Sequence, residues 1–332
     1  MATRNFSEDF KQINPKLQKY FFNAGNPLVT ASSYAGELAL PYLSAAVKSG
    51  VTLANNWVTI KENVPFKAVL KNVSDDGLIQ AGACDWNDDG VVTLTERVLQ
   101  PTELMVNTEL CKGNFRDDWE AQATGSLYDD RIPPTFEEFL LSYVAEKVAE
   151  SVENSIWNGT AGSGSFQGFA TASTGLIPAS GTTVSLTGSA AGGIDQSTVI
   201  HVFNQMIEGV TTNAPAMLNK EDLTIYVSPK TSIFYQRYLA NAGYVNEYYV
   251  NEKPMNYLGY PIAVCGGMPD DACVIARKSN LYFGTNLMTD MTNIHVIDRT
   301  PINGSDNVRL SMRFSGGIQA GVIAETFYGL SA

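Results

Sequence analysis

Histidine is almost missing from this chain: His201 and His295 are the two in 332 residues. Neither belongs to an HExxH, and no GxSxG elbow offers a nucleophile, so the commonest hydrolytic and metalloenzyme signatures are excluded. His201 falls in an amphipathic segment and His295 in an apolar one, and both read as structural histidines. Cysteine is also sparse. Cys84, Cys111, Cys265 and Cys273 form no CxxC pair and are too few for a disulfide framework, so free, mostly buried thiols are expected. No apolar run reaches the length of a membrane span, and the first residues lack the apolar core of a secretory signal, which predicts a soluble protein made in a cytoplasm, with no membrane partner. Basic residues are outnumbered, 22 Lys and Arg against 34 Asp and Glu, giving a net charge of -12. A surface built to grip nucleic-acid phosphates is thereby excluded, and any contact with DNA should be loose.

What is present is a substantial core: 44% of the residues are hydrophobic and 17% charged, enough for one large domain or two modest ones. Residues 1 to about 50 mix an aromatic cluster, Tyr20, Phe21 and Phe22, with breakers at Pro15, Pro27 and Pro41, and read as an arm that needs something to pack against. From Asn55, NNWVTIKENVPFKAVLKNVSDDG and then VVTLTERVL alternate β-branched residues around Asp-Asp-Gly turns, predicting two strands joined by an acidic loop and halted at Pro101. PPTFEEFLLSYVAEKVAESVENSIWNG carries the strongest signal. It opens with Pro133-Pro134 and a Thr135/Glu138 capping box, and it repeats Phe136, Leu140, Val144, Val148, Val152 and Ile156 every fourth residue, with Phe139 and Tyr143 beside them, before Asn158-Gly159. A helix over 135–157 is expected. Residues 159–193, rich in Gly, Ser, Thr and Ala, are the best candidate for an internal boundary.

Beyond them a helix capped by Asp195 presents Val199, Val202, Phe203, Met206, Ile207 and Val210 on one side; LTIYV reads as a buried strand, and SPKTSIFYQRYLANAG as a second helix with Pro229 in its first turn and Gly243 past its end. GYPIAVCGG, ACVIA, NLYFG and IHVID are short strands. VRLSMRF and GVIAETF predict a closing hairpin turned near Gly316-Gly317. No internal repeat is evident, and the class is α+β.

Three motifs invite chemistry. GTAGSGSFQG follows a helix rather than a strand and lacks the Gly-Lys-Ser/Thr ending of a phosphate loop, so it reads as a turn. The paired acids Asp75-Asp76, Asp88-Asp89, Asp117-Asp118, Asp129-Asp130 and Asp270-Asp271 mark solvated turns, with no base or metal signature beside them. DWNDDGVVTLTE is more specific: Asp85, Asn87, Asp89, Gly90 and Glu96 fit the positions of a calcium-binding EF-hand loop. An EF-hand loop sits between two helices and usually comes in pairs. Here the flanks read as strands and no second loop exists, so an acidic turn feeding a strand is the expectation, with no catalytic, cofactor or metal residues assigned.

The order of these segments then matters. The long capped helix ending in NSIWNGTAGSGSFQGF, the helix SPKTSIFYQRYLANAGY, then YLGYPIAVCGGMP, NLYFGTN and NVRLSMRFSGGIQAGVIAETF together resemble the major capsid proteins of tailed bacteriophages, which share the Hong Kong 97 fold. The match runs from about Asn55 to the C-terminus. The resemblance implies an N-terminal arm over 1–50, an extended loop (a β-hairpin) over 51–100, a peripheral domain over 101–165 with its spine helix at 135–157, an axial domain over 166–290, and closing strands of the peripheral domain over 291–332.

It further implies a structural protein rather than an enzyme. Copies would assemble as hexamers and pentamers into an icosahedral head, built in the host cytoplasm around a double-stranded DNA genome, and would become part of the virion. No cofactor is implied; a separate scaffolding protein, a portal and decoration proteins are the implied partners. Trp57 and Trp86 read as anchors in a neighbour or as packing within the hairpin. Some relatives carry a large scaffolding segment ahead of the arm, whereas about fifty residues precede the hairpin here, so no prodomain removal is expected. Some also join a loop lysine to an asparagine; Lys61, Lys67 and Lys71 lie in a suitable region, but no asparagine and glutamate partners are identifiable, so a noncovalent coat is expected. An encapsulin-type compartment shell is the alternative within the fold, and a calcium-dependent binding or adhesion protein the alternative outside it.

Overall fold

Valines repeating every fourth residue, a proline in the first turn and Asn-Gly at the end produce one long helix, as expected. In a computed structural model, residues 50–76, 91–111, 134–162, 164–187, 193–242, 255–286, 295–305 and 307–331 are described. They form α1 (Val51–Ala54), β1 (Thr59–Lys61), β2 (Ala68–Asp76), β3 (Val91–Leu99), β4 (Thr102–Cys111), α2 (Pro134–Asn158), α3 (Leu176–Ser180), β5 (Thr182–Val184), α4 (Val199–Asn213), β6 (Leu223–Val227), α5 (Pro229–Asn241), β7 (Asn256–Tyr257), β8 (Tyr260–Val264), β9 (Ala272–Arg277), β10 (Leu281–Gly284), β11 (His295–Asp298), α6 (Thr300–Asn303), β12 (Asn307–Ala320) and β13 (Thr326–Leu330). At about 1.5 Å per residue α2 is roughly 37 Å long. Val144, Val148, Val152 and Ile156 are all buried, so the fourfold repeat marks the face that packs. The helix ends where Gly159 comes so close to the carbonyls of Ser155 and Phe166 that a Cβ there would collide with both.

The described residues fall into two compact units: 106–111, 134–138, 295–305 and 307–312 in the smaller, the remainder in the larger. The larger is built on a six-stranded mixed sheet of order β5-β13-β9-β6-β8-β7. β6 is buried at every position and β9 at all but its last. Continuous apolar runs, rather than alternation, are what a strand covered on both faces requires. α4 lays Val202, Phe203, Met206 and Val210 into the same core as Ile225, Val227, Ile275 and Phe327. Phe203, Tyr235 and Tyr257 close it as an aromatic triad, with ring centroids 5.2 to 6.1 Å apart. α4 begins behind Thr198 rather than at Asp195, a correction to the expected cap: the Asp195 carboxylate closes the preceding turn, accepting from the backbone N–H of Ser197 and Thr198 at 2.7 and 2.9 Å. Ser228 caps α5, accepting from Thr231 N–H at 3.2 Å with Pro229 in the first turn; Gly243 lies outside the described residues. The Gly/Ser-rich segment 159–193, as far as it is described, belongs to the larger unit.

In the smaller unit β11 pairs antiparallel with the first part of β12, His295 opposite Ser311 and Asp298 opposite Val308. Val308, Leu310 and Met312 alternate as buried residues, the period-two pattern of a strand with one covered face. On β4, Glu109 gathers Asn307 and Arg309, each at 2.9 Å, and Arg299 at 3.3 Å. These donors, Asn307 first, hold its carboxyl below the ordinary value.

Two further expectations need correction. Gly316-Gly317 is no turn: β12 runs straight through it, and β13 pairs with β9 and β5 instead of folding back on β12. The glycines serve close approach, since a Cβ on Gly317 would sit 2.8 Å from the Gln100 carbonyl and one on Gly316 would sit 2.9 Å from the Phe166 ring. β3 ends at Leu99, ahead of Pro101 as expected, and the chain resumes as β4, which pairs with β12. Finally, the segment read as the first of two strands is broken: β1 pairs parallel with β10, and only β2 makes the hairpin with β3.

Candidate functional site

Among the described residues no group of three or more His, Cys, Asp and Glu is placed to hold a metal, and no helix is long and apolar enough to cross a membrane. His201 is exposed on α4. Cys265 and Cys273 are buried free thiols, and burial pushes both up, Cys273 to about 12, so they are inert at neutral pH. Cys111 is half-buried, and Cys84 and Trp86 lie outside the described residues. Of the calcium pattern, Asp85, Asn87, Asp89 and Gly90 also lie outside them, while Glu96 stands in β3, 3.5 Å from Lys71.

What the fold does build is an exposed two-stranded ribbon. β2 and β3 pair in one unbroken antiparallel register from Ala68 opposite Leu99 to Asp76 opposite Val91. Side chains alternate between the two faces of a strand, so the register sorts them. One face carries Val69 beside Val98, Lys71 beside Glu96, Val73 beside Leu94, and then Val92. The other carries Asn72, Ser74, Thr93 and Thr95, with Leu70 and Arg97 at its root. The first face is apolar yet uncovered: Val73 is 60% exposed, Val92 56% and Leu94 53%, with Val69 and Val98 at 44%. A lone two-stranded ribbon is marginally stable in water, and an apolar face of this kind marks a surface made to be covered.

The root is held firmly. Leu99 is fully buried against Gly284 of β10, so close that any Cβ there would strike its side chain at 2.8 Å. Gln319 of β12 donates to the Val98 carbonyl at 2.8 Å. Upstream, Trp57 packs within its own chain: Lys278 Nζ lies 4.3 Å from its ring centre and its carbonyl accepts from the Tyr226 hydroxyl at 2.7 Å. Trp57 thus packs on Lys278 and Tyr226 rather than within the hairpin.

A second constellation, missed in the sequence, fixes the chain where it leaves residues 1–49. Thr52 of α1 donates its N–H to Glu153 Oε2 at 3.1 Å and its hydroxyl to Glu153 Oε1, while Trp157 Nε1 donates to Thr52 Oγ1 at 2.8 Å. All three residues are buried. Glu153 and Trp157 stand four apart on α2, hence on one helical face; that spacing beside the valine stripe is the one signal the sequence offered.

No protein-family model matches the chain, and no curated protein matches it in sequence. Solved structures do. The capsid of an empty GTA particle is 14% identical, covering 96% of this chain and 99% of that one, with a TM-score of 0.52. The procapsid of satellite phage P4, a structure that includes its size determination protein Sid, is 12% identical over 88% and 98%, at 0.53. The capsid of Myoviridae phage XM1 is 11% identical over 85% and 92%, at 0.52. The chain has the α+β, Hong Kong 97-like fold of such phage capsid structures.

Proposed function

We propose that this chain is a major capsid protein: a structural subunit, not an enzyme, whose copies associate as hexamers and pentamers into an icosahedral shell around a double-stranded DNA genome. The observation that carries the reading is the ribbon's apolar face, uncovered in the single chain and mounted on a capsid-protein fold. Closed symmetric assembly supplies each protomer with a neighbour to cover it. In this reading residues 1–50 are the arm, 51–100 the extended loop, 101–165 and 291–325 the peripheral domain, and 166–290 the axial domain. β13, which pairs with β9 and β5, is added to the axial sheet. Assembly takes place in the host cytoplasm, with a separate scaffold or none, and the mature coat is part of the virion, where portal and decoration proteins join it without covalent cross-links.

Electron microscopy of the purified protein is the test. Closed shells, or free hexamers and pentamers, are expected from the wild type, with nuclease-protected DNA in particles from infected cells. Val73→Lys with Leu94→Lys should abolish assembly while leaving the circular dichroism of the subunit unchanged. A wild type that stays monomeric at high concentration refutes the reading, and particles filled with enzyme cargo in place of DNA turn it toward a compartment shell.

A further inference from the structure

One turn breaks the sequence rule for its own geometry. β7 and β8 pair Tyr257 with Tyr260, which leaves Leu258 and Gly259 as a two-residue turn at φ 50 and φ 88. A turn with two positive φ values selects Asn-Gly or Asp-Gly, because a bulky side chain is strained there. The other described non-glycine residues at positive φ are Asn56, Asn63 and Ser173, all small and polar. Leu258 is the exception, and at 68% it is also the most exposed large apolar side chain described. A strained backbone and an uncovered leucine thus coincide at one residue, and the rest of the chain covers too little of it to offset either. Strain of this kind persists where a function needs it.

The surface around Leu258 carries no charge. No Asp, Glu, Lys or Arg occurs from Pro254 to Pro269, nor from Gly209 to Asn219. The fold brings these two stretches together: the Tyr260 hydroxyl donates to the Leu218 carbonyl at 3.0 Å, and Ala214, Leu218, Met255 and Tyr260 pack on one core. Asn213, Pro215, Ala216, Asn256 and Gly259 are exposed there with Leu258. Copies of a chain with net charge -12 repel, so an uncharged rim is where two of them can approach without that opposition. The same rim offers nothing to steer a charged foreign partner.

We propose that Leu258 is an anchor for a second copy of this chain, kept in its strained turn so that its side chain stands out of the uncharged rim and is buried on a neighbour. The stiffness of the turn serves the contact: a tight turn presents the leucine already ordered, so little freedom is lost when it is covered. The inference rests on the shell-subunit reading and adds to it a residue at which folding and assembly oppose each other, since what strains the subunit secures the contact.

Leu258→Asn separates the two effects, because it relieves the strain and removes the anchor. Subunits of the variant should unfold at the wild-type temperature or above it, yet need about tenfold more protein to assemble, the order of effect expected when one leucine is no longer buried. Leu258→Gly, which also suits the turn and adds no polar group, should weaken assembly in the same way. Light scattering and electron microscopy follow assembly from purified protein alone, so that a second copy is the sole partner present. Either variant assembling at the wild-type concentration overturns the proposal. So does an Asn variant that unfolds at a lower temperature, since the leucine was then not strained. In both cases the shell reading survives through the wild type, whereas a monomeric wild type defeats both together.

Discussion

Thr52→Val is a near-isosteric change that keeps the backbone N–H on Glu153 and removes only a hydroxyl. That hydroxyl is both the donor to the Glu153 carboxylate and the acceptor for the Trp157 indole N–H at 2.8 Å. Thr52 and Trp157 are fully buried and Glu153 is 6% exposed, so water cannot replace the lost partner. A hydrogen bond to a charged acceptor contributes about 1.5–3 kcal/mol, and leaving a buried N–H without an acceptor costs about 1–3 kcal/mol. Valine returns part of this, because a buried methyl replaces a polar group, by about 1 kcal/mol. The expected loss is therefore about 3 kcal/mol, a factor of more than a hundred in the folding equilibrium. Urea unfolding of the dissociated subunit, followed by circular dichroism and tryptophan fluorescence, measures it. Trp157→Phe removes the same bond from the other side, so the double variant should lose clearly less than the sum of the two. Thr52→Ser keeps the hydroxyl and should stay within about 1 kcal/mol of wild type. A Thr52→Val chain within about 0.5 kcal/mol of wild type, or strictly additive losses, would refute the idea that this network pins α1 to the long helix.

Leu258 occupies the left-handed region at φ 50, beside Gly259 at φ 88, in the two-residue turn from Tyr257 to Tyr260, and it is 68% exposed. Asn tolerates this conformation far better than Leu, so Leu258→Asn should stabilise the subunit by about 0.5–1 kcal/mol; a lower melting temperature would show the strain account to be mistaken. Acid should weaken the fold through particular carboxylates. At Asp222 burial alone would raise the pKa, but the Ser279 hydroxyl and Arg277 outweigh it and hold it below the ordinary 3.8; Ser197 and Thr198 do the same at Asp195. Each is depressed in the folded state, so its contribution is complete above the unfolded value and drains away as pH falls below 3.8 through the lower folded value. Asp222→Asn should flatten the fall in urea midpoint between pH 4 and 2.5; an unchanged slope would remove Asp222 from the account.

Where one periodicity decides an element, the sequence was enough to find it. The valine stripe of α2 and the unbroken apolar runs of β6 and β9 were legible because helix faces and doubly covered strands leave distinct patterns. Local breakers misled when their reason was tertiary. Gly316-Gly317 read as a turn because glycine has two uses, reversing the chain and admitting a neighbour, and the second depends on Gln100 and Phe166, which are far away in sequence. Pro101 was legible as a stop because proline ends a hydrogen-bond ladder, and β3 does end at Leu99 before it. The ribbon itself could be read as alternation, but its uncovered face required the register that sets Val73 beside Leu94. The Thr52, Glu153 and Trp157 network was illegible, because its members lie 101 and 105 residues apart and meet only once the fold is made.

The apolar face of the ribbon poses a problem that Lys71 and Glu96 address. A strand pair showing only aliphatic groups to water would be a template for any other exposed edge. Here the face is divided: Val69 and Val98 lie on one side of the Lys71–Glu96 rung, Val73, Leu94 and Val92 on the other. A partner that covers both apolar halves must also cover the rung, and desolvating that exposed pair without new polar contacts is unfavourable. Two such ribbons stacked face to face at random meet this penalty at once. A neighbour bearing carboxylates at the right distance escapes it, because Lys71 can turn from Glu96 toward the incoming acid while the valines are covered. The same rung therefore keeps the free subunit apart from unrelated surfaces. By this reasoning Glu96→Gln, which leaves Lys71 without its resident partner, should make assembly more sensitive to salt and leave the fold of the subunit intact.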